Sequence, residues 1–423
     1  MATGDTNGDA SVRADVGAWL DEHWDPERPL VEWRSLLADS GWGCPTWPVE
    51  WFGRGLSAGP ARVVGEEFAA RGAVGVPLGS GMALAAPTIL AHGSDDVKRR
   101  VLRPIVTGEH RWCQLFSEPG SGSDLAGLTT RAERDGDEWV VNGQKVWTTG
   151  AGHAAYAMLV ARTDWDVPKH RGLTYFAFPM DQPGVEVRPL RQMNGRASFN
   201  EVFLTDARVA HANVIGDVGG GWAAALTTLA NERNLGSNRD LAASTAPATA
   251  GRTVRESAAE AADYGKTYEW YPQRAGRPDL VVSRAAATGA SADPVTRQQV
   301  ADVIARARTA RWNVARAKAS AAEGRGAGPQ GSIAKLCGTG LARAASATHA
   351  HITGAHAMLT GPDSPLDGVI AEVIVSVPAG SIAGGTDEIQ RNIIGERVLG
   401  LPKEPQVDTH LPFREVRTNR RDA

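Results

Sequence analysis

FSEPGSGSDLAGL, Phe116–Leu128, is followed within one short hairpin's length by WVVNGQKVWTTGA, Trp139–Ala151, and this pair decides the reading of the 423-residue chain. The first segment is a polar loop of small residues whose backbone N–H groups can grip a phosphate-bearing ligand. The second is a strand whose Trp147 and Thr149 can cover a planar ring. A glycine-rich loop alone is a weak signal, because such strings occur in many surface turns. Loop and strand together are far more specific.

Outward from this pair the chain falls into three regimes. Up to about Glu109 the apolar spacing is helical, over Val12–His23, Val31–Ser40, Ala61–Arg71 and Met82–His92. From about His110 to Gly216 it becomes β in character. Asp135-Gly136 and Asn142-Gly143 read as turns bracketing a strand at Glu138–Val141, and Tyr156–Ala161, Leu173–Phe178 and Ser198–Leu204 read as further strands, spaced as in a compact antiparallel barrel. From Gly221 the pattern is helical again, at Trp222–Leu235, Pro294–Ala322, Ser332–Ile352 and Asp387–Leu399. Asp293 ahead of Pro294 is an N-cap followed by a first-turn proline. The expected fold is α+β in helix, barrel, bundle order: an N-terminal helical domain at 1–109, a middle antiparallel β barrel at 110–216 and a C-terminal helical bundle at 217–423. Residues 237–292, rich in Ala, Ser, Thr and Gly, read as a partly structured excursion between two bundle helices.

Composition narrows the class. The formal net charge of −3 offers no global basic surface, so nucleic acid is not an expected partner. No apolar run approaches the roughly 20 residues that span a bilayer, and MATGDTNGDASV lacks a basic-then-apolar signal pattern. A cytoplasmic address without a membrane span is the expectation. Cys44, Cys113 and Cys337 are too scattered for a disulfide framework or a zinc site, and read as small core residues, with no metal expected.

The loop and strand together resemble the flavin-binding segment of the acyl-CoA dehydrogenase family, and GGTDEIQRNIIGERVLGLP, Gly384–Pro402, resembles that family's C-terminal signature. The resemblance runs from the N-terminal helices to about Pro405 and weakens in the excursion. It implies a four-helix bundle at the C-terminal end, FAD as cofactor and an acyl-CoA thioester as substrate. It further implies α-proton abstraction with hydride transfer from the β-carbon to the flavin, giving the 2-enoyl-CoA, and electron-transfer flavoprotein as the onward acceptor. Position by position, Gln114, Phe116 and Ser117 match the strand along the flavin edge, Trp147 the tryptophan against the ring and Thr149 the hydroxyl that reaches it. Ser123 matches a serine that helps hold the acyl-CoA. Thr386 and Glu388 match a turn and helix start along the cofactor, with Arg391 one turn on, and Gly354 is what remains of a glycine-rich cofactor turn.

The base is where the chain departs from the commonest pattern. Many members carry a glutamate immediately before the Gly-Thr of the C-terminal motif, and Gly384 stands there, as a substrate-site residue that cannot take a proton. A second family solution, typified by isovaleryl-CoA and long-chain dehydrogenases, places the glutamate on the first bundle helix just before an arginine. Glu232 followed by Arg233 matches it, which implies Glu232 as catalytic base and Arg233 at the substrate. If Trp222, Ala225, Leu226, Leu229 and Ala230 form that helix's apolar stripe, Glu232 falls a quarter turn from its centre. The Arg-x-x-Phe-Gly element that many homotetrameric members use across a subunit interface is missing. This departure resembles an actinobacterial branch, so the expected assembly is a homotetramer or a heterotetramer with a related subunit. A non-catalytic partner subunit and a flavin oxidase or monooxygenase on the same fold are the alternatives.

Overall fold

The computed structural model describes residues 6–232, 251–322 and 330–416. These fall into two compact units, the first drawn from Met1–Leu190, Ala197–Thr267 and Asp408–Ala423, the second from Arg191–Arg196 and Tyr268–Val407. Helices lead the first unit: α1 (Thr6–His23), α2 (Leu30–Ser40), α3 (Ala58–Arg71), α4 (Ala86–His92) and α5 (Asp95–Thr107). The sequence reading assigns no element to α5. Yet Ser94 caps it by accepting from the Val97 N–H, Asp95 and Asp96 sit in its positive first turn, and Val97, Val101, Leu102 and Ile105 make its buried face. Pro104 inside its last turn masks that pattern in the sequence.

Eight strands follow: β1 (Trp112–Leu115), β2 (Arg131–Asp135), β3 (Glu138–Thr148), β4 (Tyr156–Arg162), β5 (Leu173–Pro179), β6 (Val185–Leu190), β7 (Phe199–Ala210) and β8 (Val214–Ile215). Their order is β6-β7-β3-β2-β4-β5-β8, with β1 alongside β4. β1 and β2 run parallel to β4, and the other pairings are antiparallel. Side chains alternate along β1. Cys113 and Leu115 join Trp139, Val141, Phe176 and Val202 in one core, while Trp112 and Phe116 turn to a second core shared with Ile89, Leu102 and Ile105. Cys44 and Cys113 are buried free thiols, pushed by burial to about 12.

Asp135-Gly136 is the turn joining β2 to β3, since Asp135 pairs with Glu138. Asn142-Gly143 is not a turn. It lies inside β3, where the pairing with β7 slips between Val141 and Gly143, so the strand continues to Thr148 through a bulge. Glycine is required there because a Cβ would stand 2.4 Å from Thr130 Oγ1 and 2.8 Å from Thr130 Cα. Asn142 and Asp206 exchange hydrogen bonds across the bulge, at 3.0 and 2.9 Å.

After β8, α6 (Gly221–Glu232) packs on α4 and β5. The part of the excursion within the described residues is mostly helical. Arg252–Lys266 belongs to the first unit and buries only Thr253 and Val254. Its anchorage is polar: Thr253 N donates to Pro26 O at 2.9 Å, Glu256 accepts from the Leu30 N–H of α2 at 2.8 Å, and Glu260 pairs with Arg34 at 2.6 Å. A helix docked this way has little apolar periodicity to read.

The second unit is helical, with Pro278–Ala287, Pro294–Ala322, Gln330–Thr353, Val369–Ser376 and Asp387–Arg397 as its principal elements. Val281, Val303 and Ala345 form one small core, and Ala342, Val373 and Val377 another. Asp293 accepts from the Thr296 N–H at 2.8 Å, capping the long helix as its sequence predicts. Pro365–Arg397 is apolar enough in composition to cross a bilayer. It is divided into Pro365–Gly368, Val369–Ser376, Pro378–Ile382 and Asp387–Arg397, with Leu366, Asp367, Gly384 and Gly385 at positive φ between or within the pieces.

Gly143→Ala is expected to destabilise by about 2 kcal/mol or more through backbone overlap. Gly136→Ala, at φ 59 with open space around its Cβ, should cost about 1 kcal/mol. Urea midpoints of the two variants check the order.

Candidate active site

The loop after β1 is held by a buried ion pair. Lys145 of β3 is fully buried, and its ammonium donates to Phe116 O at 3.0 Å, Glu118 Oε1 at 3.0 Å and Val160 O at 2.9 Å. Three protons meet three acceptors, so Lys145 is an ammonium although burial pulls its pKa down. Glu118 in turn accepts from the Thr129 N–H at 2.7 Å and the Thr130 N–H at 2.7 Å. Burial alone would raise the Glu118 pKa. The Lys145 charge and these hydrogen bonds outweigh it and hold the carboxyl at about 2. Glu118 and Ser121 close the turn between them through paired backbone hydrogen bonds of 2.9 and 3.1 Å. Arg162 of β4, also fully buried, secures the loop's far end by donating to Ala126 O at 2.6 Å and Leu128 O at 3.2 Å. Burial lowers its pKa to about 10. A cavity of about 530 Å³ opens beside this loop, bordered by Gly120, Ser121, Arg131, Gln144 and Trp165 among others.

Trp147 owes its position to a second irregularity of β3. The pairing with β7 slips again between Lys145 and Thr148, both buried, and the intervening Trp147 takes φ 62. A bulky side chain in the left-handed region is an outlier maintained only by its surroundings. Its indole is thrown outward, 57% exposed, with Phe199 edge-on at 5.8 Å. Ser117 and Thr149 are half-buried, and among the described residues neither hydroxyl bonds another protein group. Thr149 also borders a smaller cavity of about 130 Å³. Phe116 turns its ring into the core against Tyr175, leaving its backbone to the loop. Ser123 is exposed.

Glu232 is better placed than its sequence position suggests. The buried face of α6 runs through Gly221, Ala224, Ala225 and Thr228, whereas Leu226 is exposed. Polar Thr228 takes the place expected of an apolar residue, bonded to Thr88 at 2.9 Å and to Tyr175 OH at 3.0 Å. One turn beyond Thr228, Glu232 continues this buried face rather than lying a quarter turn from it. Its carboxylate accepts from Gln114 Nε2 of β1 at 3.5 Å. Arg233 lies outside the described residues.

In the second unit Gly384 has φ 68, a conformation that L side chains rarely adopt. Lys335 fixes it, donating to Ala383 O at 2.6 Å and to Gly385 O, while Gln390 Nε2 donates to Gly384 O at 3.2 Å. Thr386 caps the following helix through the Ile389 N–H at 3.3 Å, exposed Glu388 pairs with Arg391 at 3.3 Å, and Gly354 opens a 3₁₀ turn at φ 60. Buried Asp387, between Thr386 and Glu388, binds Thr339 at 3.0 Å and Arg343 at 2.7 Å.

Profiles of the acyl-CoA dehydrogenase N-terminal, middle and C-terminal domains match residues 9–109, 113–207 and 279–399. The acyl-CoA dehydrogenase IpdE1 of Mycobacterium tuberculosis is 37% identical over 378 residues, 88% of this chain and 88% of its own. The chain belongs to the acyl-CoA dehydrogenase family. As a member it is an oxidoreductase with that family's helical, β-sheet and helical domains. FadE34 of Mycobacterium tuberculosis is 48% identical to this dehydrogenase over 197 residues, 47% of this chain and 27% of its own. Among solved structures, the ChsE4-ChsE5 complex from Mycobacterium tuberculosis matches with a TM-score of 0.59 and 27% identity, over 96% of this chain and 100% of that one.

Lys145, Glu118 and Arg162 are the residues that sequence reasoning missed. Only Arg162 carried a signal, as a charge closing the apolar run Tyr156–Ala161 where an unpaired charge is not tolerated; Glu118 and Lys145 stand among polar neighbours in the sequence. Because the Glu118 carboxyl is depressed from its ordinary 4.5 to about 2, its contribution of about 3 kcal/mol is present above pH 4.5 and lost as pH falls toward 2. Lys145→Met should destabilise the first unit by about 3–5 kcal/mol and shrink this acid loss, since the Glu118 pKa then rises back toward its unfolded value with only the hydrogen bonds from residues 129 and 130 left to hold the carboxylate. Urea unfolding at several pH values measures both.

Proposed function

We propose that this dehydrogenase binds FAD and an acyl-CoA thioester, with Glu232 as the base that removes the α-proton. The observation that carries the reading is the Glu232 carboxylate on the buried face of α6, 3.5 Å from Gln114, while Gly384 holds a backbone fixed for glycine. The residues present fit a flavin: an exposed indole on a strained backbone offers a face for a planar ring, and the unengaged Ser117 and Thr149 hydroxyls offer hydrogen bonds to its edge. Bound FAD supplies the hydride acceptor for the β-carbon.

The chain's own part begins with placement. Ser117, Trp147 and Thr149 orient the ring, and Gln114 and Phe116 run beside it. Gly354, Thr386 and Glu388 are proposed as further cofactor contacts, and Ser123, Arg233 and Gly384 as substrate contacts. Glu232 takes the α-proton onto its carboxylate. Gln114 donates to that carboxylate and so holds it toward β1 before the proton moves. Electrons then pass to electron-transfer flavoprotein, and a cytoplasmic location accords with this role.

Glu232→Gln keeps size and removes basicity, so turnover is expected to fall by about a hundredfold or more with FAD retained. Anaerobic flavin bleaching by a panel of acyl-CoA thioesters measures it. Normal turnover by the Gln variant would remove Glu232 from the chemistry, and wild-type flavin that no acyl-CoA reduces would point to a partner subunit's site. Trp147→Phe should keep the fold and alter the flavin absorption spectrum or the rate of electron transfer outward. An unchanged spectrum and rate would place Trp147 outside the cofactor site.

A further inference from the structure

Asp408–Val416, the end of the described chain, belongs to the first unit, although the helices that precede it in sequence belong to the second. It lies beyond the C-terminal signature that closes at Pro402. Backbone and side chains both fasten it to the connection between β4 and β5. The Phe413 N–H donates to Val167 O at 3.0 Å, the Arg414 N–H donates to Trp165 O at 3.1 Å, and the Arg414 side chain pairs with Asp166. Leu401–Val407 are exposed, whereas Phe413 is only 2% exposed.

Phe413 is buried against a charge. Its ring lies over the Arg162 guanidinium, 3.4 Å from centroid to Cζ, and the Trp165 ring stands 5.6 Å from the same carbon. Among the described residues Arg162 pairs with no carboxylate: its side chain donates only to carbonyls, those of Ala126, Leu128 and Lys169. A buried cation without a counter-ion is stabilised by the negative face of an aromatic ring, and more strongly where water is excluded. Phe413 supplies that face and shuts out the water. Arg162 therefore holds the far end of the ligand loop from a dry site whose cover is the chain's own C-terminal segment. A second tie runs in parallel, since Lys169 bridges Asp124 of the loop at 3.2 Å and Asp408 of the segment at 3.3 Å. Asp124 directly follows Ser123, and Trp165 borders the cavity of about 530 Å³ together with Gly120, Ser121 and Gly127 of the loop.

We propose that Phe413 is a positioning residue for the substrate loop: by covering Arg162 it fixes Ser121–Leu128, and with them Ser123 and the wall of the adjoining cavity, in the arrangement that receives the acyl-CoA thioester. It acts on substrate binding and not on the proton step, because Glu232 is tied to β1 through Gln114, outside the segments that Phe413 holds. This inference rests on the reading of the loop as an acyl-CoA contact.

Phe413→Leu keeps an apolar side chain and removes the ring face, whereas Phe413→Tyr keeps the face. In the full-length holoenzyme, with the acyl-CoA thioester that best bleaches the wild-type flavin, Phe413→Leu is expected to raise KM about fivefold or more with kcat within about twofold, and Phe413→Tyr to restore most of the KM. Hydrogen exchange without substrate should show Ser121–Leu128 exchanging about tenfold faster in the Leu variant while Leu173–Pro179 of β5 is unchanged. Asp408→Asn weakens the second tie at a half-buried position, so it serves as the test if the Leu variant does not fold. It is expected to move KM and loop exchange in the same direction by about twofold. The proposal is overturned if the folded variants exchange in the loop as the wild type does, or if loop exchange rises while KM stays at its wild-type value. Faster exchange across β5 as well overturns it too, since that is general loosening of the unit. Wild-type flavin that no acyl-CoA reduces counts against the acyl-CoA reading instead, and the exchange measurement, which needs no substrate, then still decides whether Phe413 holds the loop.

Discussion

The ion pair between Lys145 and Glu118 is the constraint on which the rest of the site depends. A lysine fully buried in a β-strand is costly unless every proton is accepted, and here the acceptors belong to three separate segments: the end of β1, the loop and β4. Satisfying one ammonium therefore fixes those segments to one another. Glu118 extends the tie to the backbone of residues 129 and 130, and Arg162 closes the other side of the loop. A glycine- and serine-rich loop has high conformational entropy in the unfolded chain, and these buried charges are what order it.

The same strand carries both the anchor and the exposed ring. Lys145 and Thr148 point inward, and the bulge between them turns Trp147 outward with a strained backbone. Strain of this sort persists only where the flanking residues are held firmly, and Lys145 is the firmer flank. Outward presentation of an indole and burial of an ion pair are thus two consequences of one stretch of β3.

On the helical side, polar groups again set the geometry. Thr228 bonded to Thr88 and Tyr175 fixes the rotation of α6, and that rotation carries Glu232 toward β1. An apolar count of the helix puts Leu226 inside and Glu232 off the stripe; the hydroxyl cluster reverses this, because a buried threonine with two partners is as acceptable as a leucine. The Arg252–Lys266 helix follows the same logic, seated by Glu256 and Glu260 rather than by an apolar stripe.

The sequence by itself determined the order of helices, strands and helices, the long helix opened by Asp293-Pro294, and the family, because periodicity, caps and the spacing of a loop, a tryptophan and a terminal motif are local properties of the chain. It also singled out Glu232 and Gly384, since a missing carboxylate at one motif and a present one at another are legible letter by letter. Only the tertiary structure decided that Asn142-Gly143 is a bulge, that α5 forms despite Pro104, that Trp147 leaves the strand with positive φ, and that Lys145, Glu118 and Arg162 hold the loop. Each of these depends on partners far apart in sequence, and the free energy of burying a charge or straining a backbone is set by those partners and not by its neighbours along the chain.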